Sequence, residues 1–165
     1  MAHAKDVAAF FLKLDKDGNL FNDAELTHMN GRTFYTGNAR LNKYLHLAQN
    51  IYYAKTSNPL FEESIYAYDN GGVIPEIREN YRMLLSRKNK LSYLLSDDEQ
   101  AFLTKLYMVL ENAPIEKLIE LSHEDPEWIA KHSFYNKQDQ KMDTLSHLDD
   151  YREQYADIIY LMDRM

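Results

Sequence analysis

The densest run of residues that could carry chemistry is Ser122-His123-Glu124-Asp125. A histidine beside two carboxylates supplies the groups for general acid–base catalysis, so a hydrolase that uses His123 with Glu124 or Asp125 is one hypothesis. The run also suits the end of one helix and the start of the next, because Ser and Asp side chains accept hydrogen bonds from unpaired backbone N–H groups. No nucleophile, metal-ligand set or oxyanion donor accompanies the run in the sequence. The helix-cap interpretation is therefore favoured, and no catalytic residue is predicted.

A second candidate is the run DKDGN at residues 15–19, which resembles the start of a calcium-binding EF-hand loop. Alignment of Gly18 with the glycine that this loop requires puts Lys13 where the first carboxylate belongs and Ala24 where the bidentate glutamate belongs. Calcium binding is therefore not expected. The run instead predicts a turn that ends the first helix.

The rest of the sequence offers little basis for catalysis. It contains no Gly-rich phosphate loop, no Gly-x-Ser-x-Gly elbow and no His-Glu-x-x-His zinc motif, and its six histidines are scattered. The absence of cysteine removes disulfides, Cys-based zinc sites and thiol nucleophiles, and it fits a reducing compartment. We therefore expect a protein that is not an enzyme and that binds no metal and no cofactor.

Length and composition predict a single domain over residues 1–165. Of these residues 45% are apolar and 27% are charged, which is enough apolar material to bury a core. No apolar run approaches the roughly 20 residues of a membrane span. Residues 1–6 lack the features of a secretory signal. We expect a cytoplasmic protein that makes no membrane contact.

Charge is unevenly distributed along the chain, whose formal net charge is −7. Five basic residues and one acid lie between Arg78 and Leu91, whereas three bases and six acids lie between Lys141 and Met165. The plain interpretation is two solvated helix faces of opposite sign, and the alternative is a polar molecule with a partner-binding pole. The alternative function is a nucleic-acid-binding regulator that uses the basic segment Arg78–Lys90. The net negative charge and the lack of a recognisable helix-turn-helix oppose it.

These residues must be positioned mostly by helices, because apolar residues recur three and four positions apart through much of the chain. This period predicts helices over residues 7–14, 38–55, 75–86, 96–110, 114–121, 126–129 and 142–162, the last of them after a polar loop over residues 136–140. Asn38 and Asp125 are predicted N-caps. Pro75 suits the first position of its helix, and Ser96 with Glu99 forms a capping box.

Two short segments do not follow the helical period. Residues 65–68 alternate as in a strand, and Asp69-Asn70-Gly71-Gly72 follows, which predicts a hairpin whose turn uses positive φ at Gly71 and Gly72. A short helix over residues 24–29 and a turn at Asn30-Gly31 are predicted between the first and central helices. The expected fold class is mainly α, a compact single-domain bundle of about seven helices with one candidate β-hairpin.

The central helix, residues 38–55, is expected to form the core. Its period divides the side chains into an inward set and a set near the surface. The inward set is Leu41, Leu45, Ala48 and Tyr52, and the surface set is Arg40, Lys43 and Asn50.

Residues 40–49 (RLNKYLHLAQ) resemble the KLQKLLYYAQ signature of the Panacea domain, the SocA-like antitoxin family also called phage-associated protein. Residues 58–61 (NPLF) are similar to its Pro-Leu-Phe turn, and residues 67–77 (AYDNGGVIPEI) are similar to its Ala-Trp-x-x-Gly-Pro-Val-Val-Pro-x-Val segment. Residues 95–99 (LSDDE) and 121–128 (LSHEDPEW) resemble its Leu-Ser/Thr-x-Glu-Glu and Ser/Thr-His-x-x-Pro-Trp elements. Several anchors in the family's order are far more specific than any one alone.

The resemblance extends from about Asp6 to Trp128, with some departures. Residues 22–37 look like an insertion. Four family positions are substituted, with Arg40, Asn42, Tyr68 and Gly72 in place of lysine, glutamine, tryptophan and proline.

The resemblance implies an antitoxin of a bacterial or prophage toxin–antitoxin system. Such a protein is not an enzyme. It binds and neutralises a protein toxin, which an adjacent gene is expected to encode, or in one branch delivers that toxin to a protease. Neither nucleic acid nor a membrane is an expected partner.

The resemblance also points to a partner-binding site where the loop after the predicted strand meets the central helix. We predict that seven residues of these segments lie close together and bind the partner: Arg40, Lys43, Gln49, Tyr68, Gly71, Gly72 and Pro75. The alternative is that they only hold the loop against the helix. His123, Pro126 and Trp128 are predicted to be a structural motif.

Overall fold

The computed structural model describes residues 1–132 and 140–165, and the fold is mainly α, as predicted. Nine α-helices occur within these residues: α1 Ala4–Leu14, α2 Thr36–Thr56, α3 Pro75–Glu79, α4 Tyr81–Ser86, α5 Asp97–Leu110, α6 Ile115–His123, α7 Pro126–Lys131, α8 Leu148–Gln154 and α9 Ala156–Asp163. The four strands are β1 Leu26–Met29, β2 Arg32–Tyr35, β3 Tyr66–Tyr68 and β4 Gly71–Val73, and a 3₁₀ helix covers Thr144–Ser146. Apart from Gln140, the predicted loop over residues 136–140 lies outside the described residues.

Helix α2 is the centre of the fold, because α1, α5, α6, α8 and both hairpins pack around it. The predicted inward residues Leu41, Leu45 and Ala48 are buried, and Tyr52 is half-buried. Lys43 and Asn50 are buried as well, so the prediction that they stay near the surface was wrong. A helix enclosed on most of its circumference buries polar side chains too, and these must then find hydrogen-bond partners inside the protein.

The start of α2 also differs from the prediction. The helix begins at Thr36 with Tyr35 as its N-cap, because β2 leads directly into it, so the predicted cap at Asn38 was wrong. The side chain of Asn38 instead donates a hydrogen bond to the carbonyl oxygen of Arg78, 3.1 Å away. The helix ends where Ser57 adopts a left-handed conformation with φ 62°.

The segment between α1 and α2 is a hairpin, so the predicted helix over residues 24–29 was wrong. Strands β1 and β2 are antiparallel, and Met29 is paired with Arg32 across a two-residue turn. Asn30 and Gly31 form this turn with φ values of 51° and 74°, which confirms the turn predicted there. An Asn-Gly pair in this conformation matches the twist of a hairpin, and this local signal outweighs the weak helical period beside it.

The second hairpin pairs Tyr66 with Val73 and Tyr68 with Gly71. The hairpin predicted after residue 65 is therefore confirmed. Gly71 has φ 110°, as predicted, but Gly72 does not have a positive φ, so half of that prediction was wrong. Pro75 then occupies the first turn of α3, as predicted.

The last predicted helix, residues 142–162, is not continuous. It is divided into the 3₁₀ helix, α8 and α9, with a break at Tyr155, where φ is −102° and ψ is 14°. The break lets α8 pack on α2 while α9 packs on α5. The predicted helix over residues 75–86 is likewise divided, at Asn80. Tertiary packing sets both interruptions, which explains why the apolar period alone misses them.

The predicted capping box at the start of α5 is confirmed. Ser96 Oγ accepts a hydrogen bond from the Glu99 N–H at 3.1 Å, and Glu99 Oε1 accepts one from the Ser96 N–H at 2.8 Å.

Replacement of Ser96 with alanine is expected to lower the free energy of unfolding by about 1 kcal/mol, because the Glu99 N–H loses its acceptor. Denaturant titration measures this, with Ser92→Ala as the control at another exposed serine of the same connection. Equal stability of the two variants would contradict the prediction.

Within residues 1–132 and 140–165, none of the helices combines the length and the apolar character that crossing a bilayer requires.

Candidate functional site

A buried polar network links α2 to the connection between α6 and α7. His46 Nδ1 lies 2.8 Å from Ser122 Oγ, and His46 Nε2 lies 2.7 Å from Asp125 Oδ2. The three residues are fully buried. A Ser-His-Asp arrangement therefore exists, but its histidine is His46. Neither His123 nor Glu124, which the hydrolase hypothesis would use, belongs to it.

Hydrogen bonding around this arrangement favours a structural role. Ser122 Oγ accepts a hydrogen bond from the Gly72 N–H at 2.8 Å, so its hydroxyl is free to donate to His46 Nδ1. In the tautomer that carries the proton on Nε2, His46 then donates to Asp125, and the side chains of Ser122, His46 and Asp125 satisfy one another. A nucleophilic serine must reach a substrate, whereas Ser122 has no exposed surface. The network ties β4, α2 and α6 together.

Asp125 is the centre of the network. Its Oδ2 accepts hydrogen bonds from His46 and from Asn50 Nδ2, the latter at 2.8 Å. Its Oδ1 accepts from the Tyr151 hydroxyl at 2.8 Å and from the Glu127 N–H at 2.9 Å, and the latter bond confirms Asp125 as the N-cap of α7. Burial alone would raise the pKa of this carboxyl, but the hydrogen bonds from His46 and Asn50 hold the pKa below its ordinary value.

A cavity of about 350 Å³ lies beside this network, between α2 and the two hairpins. Lys43, Tyr68 and Val73 line it together with two arginines, Arg32 and Arg78. Lys43 is 1% exposed, and its Nζ donates a hydrogen bond to the Gly72 carbonyl oxygen at 2.9 Å. Burial, helped by the charge of Arg78, lowers the pKa of Lys43 to about 7.

The structure brings together part of the predicted partner-binding set. Lys43 and Tyr68 both line the cavity, and Gly71 and Gly72 form the strand behind Lys43. Lys43 and the two glycines are buried, whereas Tyr68 is half-buried. Pro75 follows as the first residue of α3. Whether these residues bind a partner stays a prediction.

Arg40 and Gln49 lie elsewhere. Arg40 Nη1 donates to the Ala113 carbonyl oxygen at 2.7 Å, outside the cavity lining. The amide of Gln49 holds the turn at residues 60–61, because its Oε1 accepts from Leu60 N–H at 2.8 Å and its Nε2 donates to the Phe61 carbonyl oxygen at 2.8 Å. The hypothesis that all seven residues form one cluster was therefore wrong for these two.

Trp128 supports the outer side of the β3–β4 hairpin. Its indole N–H donates to the Tyr68 carbonyl oxygen at 2.8 Å, and its rings stack between His123 and His132 with centroids 4.0 and 4.3 Å apart. His123 Nε2 lies 3.1 Å from the Asp69 carbonyl oxygen. Pro126 starts the helix that carries Trp128. Each of these residues thus supports a local element, and a purely structural role for His123, Pro126 and Trp128 stays a prediction.

The basic segment Arg78–Lys90 does not present one uniform face. Lys88 Nζ donates to the carbonyl oxygens of Asp15 and Lys16, at 2.9 and 3.2 Å. Arg78 and Arg82 lie over the rings of Tyr68 and Tyr35 instead. Several of its charges are thus committed to contacts within the chain.

Sequence reasoning missed the buried polar side of α2. A signal for it was present, because polar residues recur at helical spacing along the helix, at positions 42, 43, 46, 49 and 50. Of these, Asn42 accepts from the Ile74 N–H, and His46 and Asn50 join the network around Asp125.

Comparison with known proteins gives one match. The model of a family described as the antitoxin SocA-like Panacea domain matches residues 41–129, just over half of the chain. The matched region contains the β3–β4 hairpin, the residue Lys43 and the network around Asp125 except for Tyr151. No curated protein and no solved structure gives a significant match.

Proposed function

Because the chain belongs to the family of SocA-like antitoxins with a Panacea domain, we propose that it is the antitoxin of a bacterial or prophage toxin–antitoxin pair. In this role it binds a protein toxin, encoded by an adjacent gene, and neutralises it directly or delivers it to a protease. The observation that carries the proposal is the family match over residues 41–129. The proposal agrees with the full burial of the Ser-His-Asp arrangement, because a fully buried serine is placed to stabilise the fold rather than to react with a substrate.

We place the toxin-binding surface at the mouth of the cavity. Tyr68 is half-buried there, and the Arg78 guanidinium lies 5.4 Å from the centre of its ring. Tyrosine and arginine are the residue types in which binding energy is most often concentrated. The hydrogen bond from Trp128 to the Tyr68 carbonyl holds the strand rigid. A rigid surface loses less entropy when a partner binds.

Within this proposal, Gly71, Gly72 and Pro75 shape the surface rather than touch the toxin. Lys43 fixes the Gly72 carbonyl from the cavity floor, and Pro75 sets the start of the helix that carries Arg78. Tyr68 and Arg78 supply the contacts at the mouth of the cavity.

Co-expression with the product of the adjacent gene tests the function. We expect that product to stop growth when it is expressed alone and the chain to restore growth. A wild-type chain that never restores growth would contradict the antitoxin role. Toxin levels separate the two mechanisms, because direct inhibition leaves the toxin abundant and proteolytic delivery depletes it.

Tyr68→Ala and Arg78→Glu test the surface. Each is expected to reduce growth rescue at least about tenfold, because loss of an interface anchor costs roughly 2 kcal/mol or more. Tyr160→Ala is the matched control, since Tyr160 is exposed on α9 and also lies beside an arginine. Circular dichroism checks that every variant is folded. Full rescue by both folded variants would eliminate this surface.

A further inference from the structure

The buried amine of Lys43 lies at the floor of the cavity, and it is positively charged below its pKa of about 7. Lys43 Nζ has three donors, and the Gly72 carbonyl takes one of them. Among the described residues, no carboxylate lies within ion-pair distance of Lys43. In the part of the lining that the structure describes, the acid is Asp69, and its oxygens are paired with Arg32 Nε and His132 Nε2, each 3.0 Å away, rather than with Lys43.

Such a lysine is costly to the fold. A buried ammonium loses its hydration and regains little when one neutral carbonyl is its partner. Arg78, which lines the same cavity, adds a second positive charge and lowers the pKa of Lys43 further. The cavity is thus cationic in a chain whose net charge is −7. A titratable side chain that is desolvated, close to a like charge and part of a cleft is a candidate for a binding site.

We propose that the cavity binds a carboxylate, with Lys43 Nζ as the charge partner at the floor and Arg78 at the mouth. The asparagine amides on the wall do not compete for this role. Asn42 is hydrogen-bonded to the Ile74 N–H and to Asn38, and Asn70 is hydrogen-bonded to Asn30 and Met29. The amine of Lys43 therefore keeps donor capacity that no residue in the described part of the chain takes up.

The size and charge of the cavity define the ligand further. Of the cations at the floor and the mouth, only Lys43 is buried, because Arg78 is exposed and its charge is solvated. One buried cation needs a single negative charge, which favours a carboxylate over a phosphate dianion. The volume of about 350 Å³ suits a side-chain-sized or small organic acid. Phe34, Tyr68 and Val73 line the walls, where a short carbon skeleton can pack.

Two sources can supply this group, namely an acidic side chain or C-terminus of a bound protein, and a free organic acid. The inference goes beyond the proposed function, because a carboxylate site exists in this cavity whether or not the chain neutralises a toxin.

The test is a titration of the full chain, labelled with ¹³C and ¹⁵N in lysine, with acetate, propionate and benzoate. It is run at about pH 6, below the pKa of Lys43 of about 7, so that the amine is protonated. Acetamide, propionamide and benzamide are the matched neutral probes, and inorganic phosphate is the dianion. We expect saturable shifts of the Lys43 resonance with the acids, no such shift with the amides, and binding of phosphate at least about tenfold weaker.

Variants check the assignment by thermal stabilisation with propionate. Lys43→Met keeps the length of the side chain and removes its charge, so it is expected to fold and to lose the stabilisation. Arg78→Gln, at an exposed position, is expected to weaken binding severalfold without affecting the core. Lys55→Met, on the same helix but outside the cavity lining, is the control and is expected to bind like the wild type.

Three results would overturn the inference. The first is the absence of a saturable shift of the Lys43 resonance up to about 100 mM acid, a concentration at which even fragment-sized ligands are detected. The second is equal binding of the acids and the amides. The third is tighter binding of phosphate than of the acids. Folded Lys43→Met that loses both acid binding and toxin neutralisation identifies a protein carboxylate as the source. Loss of acid binding alone identifies a free acid. If the acids bind while the wild type neutralises no toxin, the proposed function fails and this site remains.

Discussion

Replacement of Asp125 with alanine is expected to lower the free energy of unfolding by about 3–5 kcal/mol. The carboxylate accepts hydrogen bonds from three buried side chains, His46, Asn50 and Tyr151. Its removal takes this acceptor from all three buried donors, although Asn50 keeps its second hydrogen bond, to the Tyr155 hydroxyl at 3.1 Å. Each buried polar group that is left unpaired costs about 1–3 kcal/mol. The variant also loses the N-cap of α7, since the Glu127 N–H has no other acceptor.

Denaturant titration followed by circular dichroism measures this effect. Asp125→Asn preserves the shape and part of the hydrogen bonding, so its expected loss is smaller, roughly 1–3 kcal/mol. Asp17→Ala, at an exposed position after α1, is the matched control and is expected to change stability by less than about 0.5 kcal/mol. A loss below about 1 kcal/mol for Asp125→Ala would show that the network contributes little to the fold.

The same carboxylate predicts acid sensitivity. In the folded protein, the pKa of Asp125 lies below the ordinary aspartate value of 3.8. Its contribution to stability is therefore complete above that value and is lost as the pH falls through the lower folded-state pKa. The unfolding free energy of the wild type should decline more steeply below pH 3.8 than that of Asp125→Asn. Parallel declines would contradict the assignment.

Local signals explain which elements the sequence could predict. The capping box of Ser96 and Glu99 and the cap at Asp125 each involve residues within three positions, so the sequence contains the whole interaction. The division of the last helix at Tyr155 depends instead on packing against α2 and α5, which are remote in sequence.

The site was predictable only in part, for a related reason. The resemblance directed attention to Lys43 and Tyr68, and the two residues do line one cavity. The apolar period nevertheless predicted that Lys43 lies near the surface, because the polar side of a helix considered alone is expected to face solvent. The β3–β4 hairpin covers that side, and only the fold shows this.

Gly72 connects the two sites of the molecule. Its N–H donates to Ser122 in the buried network, and its carbonyl accepts from Lys43 at the cavity floor. An added Cβ at Gly72 would lie 2.5 Å from His46 Nδ1, so no larger side chain fits beside the histidine. The position of the cavity floor is therefore fixed by the network behind it.

A substitution at Gly71, the preceding residue, is the other change for which a large loss of stability is expected. Gly71→Val is expected to lower the free energy of unfolding by more than about 4 kcal/mol or to prevent folding. The residue has φ 110°, a conformation that β-branched side chains avoid. An added Cβ would also lie 2.6 Å from Ser122 Cβ and 2.9 Å from Lys43 Cε. Backbone strain and steric overlap therefore act together, and neither neighbour can move without breaking a buried hydrogen bond.

Gly31→Val is the matched control for this variant. Gly31 also has a positive φ, 74°, but an added Cβ there would meet nothing within 4 Å. It isolates the backbone strain, which is expected to cost about 1–2 kcal/mol. Thermal and denaturant unfolding measure both variants, and Gly71→Ala provides a milder case if the valine variant does not fold. Equal losses of unfolding free energy at Gly31 and Gly71 would show that the overlap with Ser122 and Lys43 is relieved at no cost. In that case the β3–β4 hairpin is not held rigidly over the cavity.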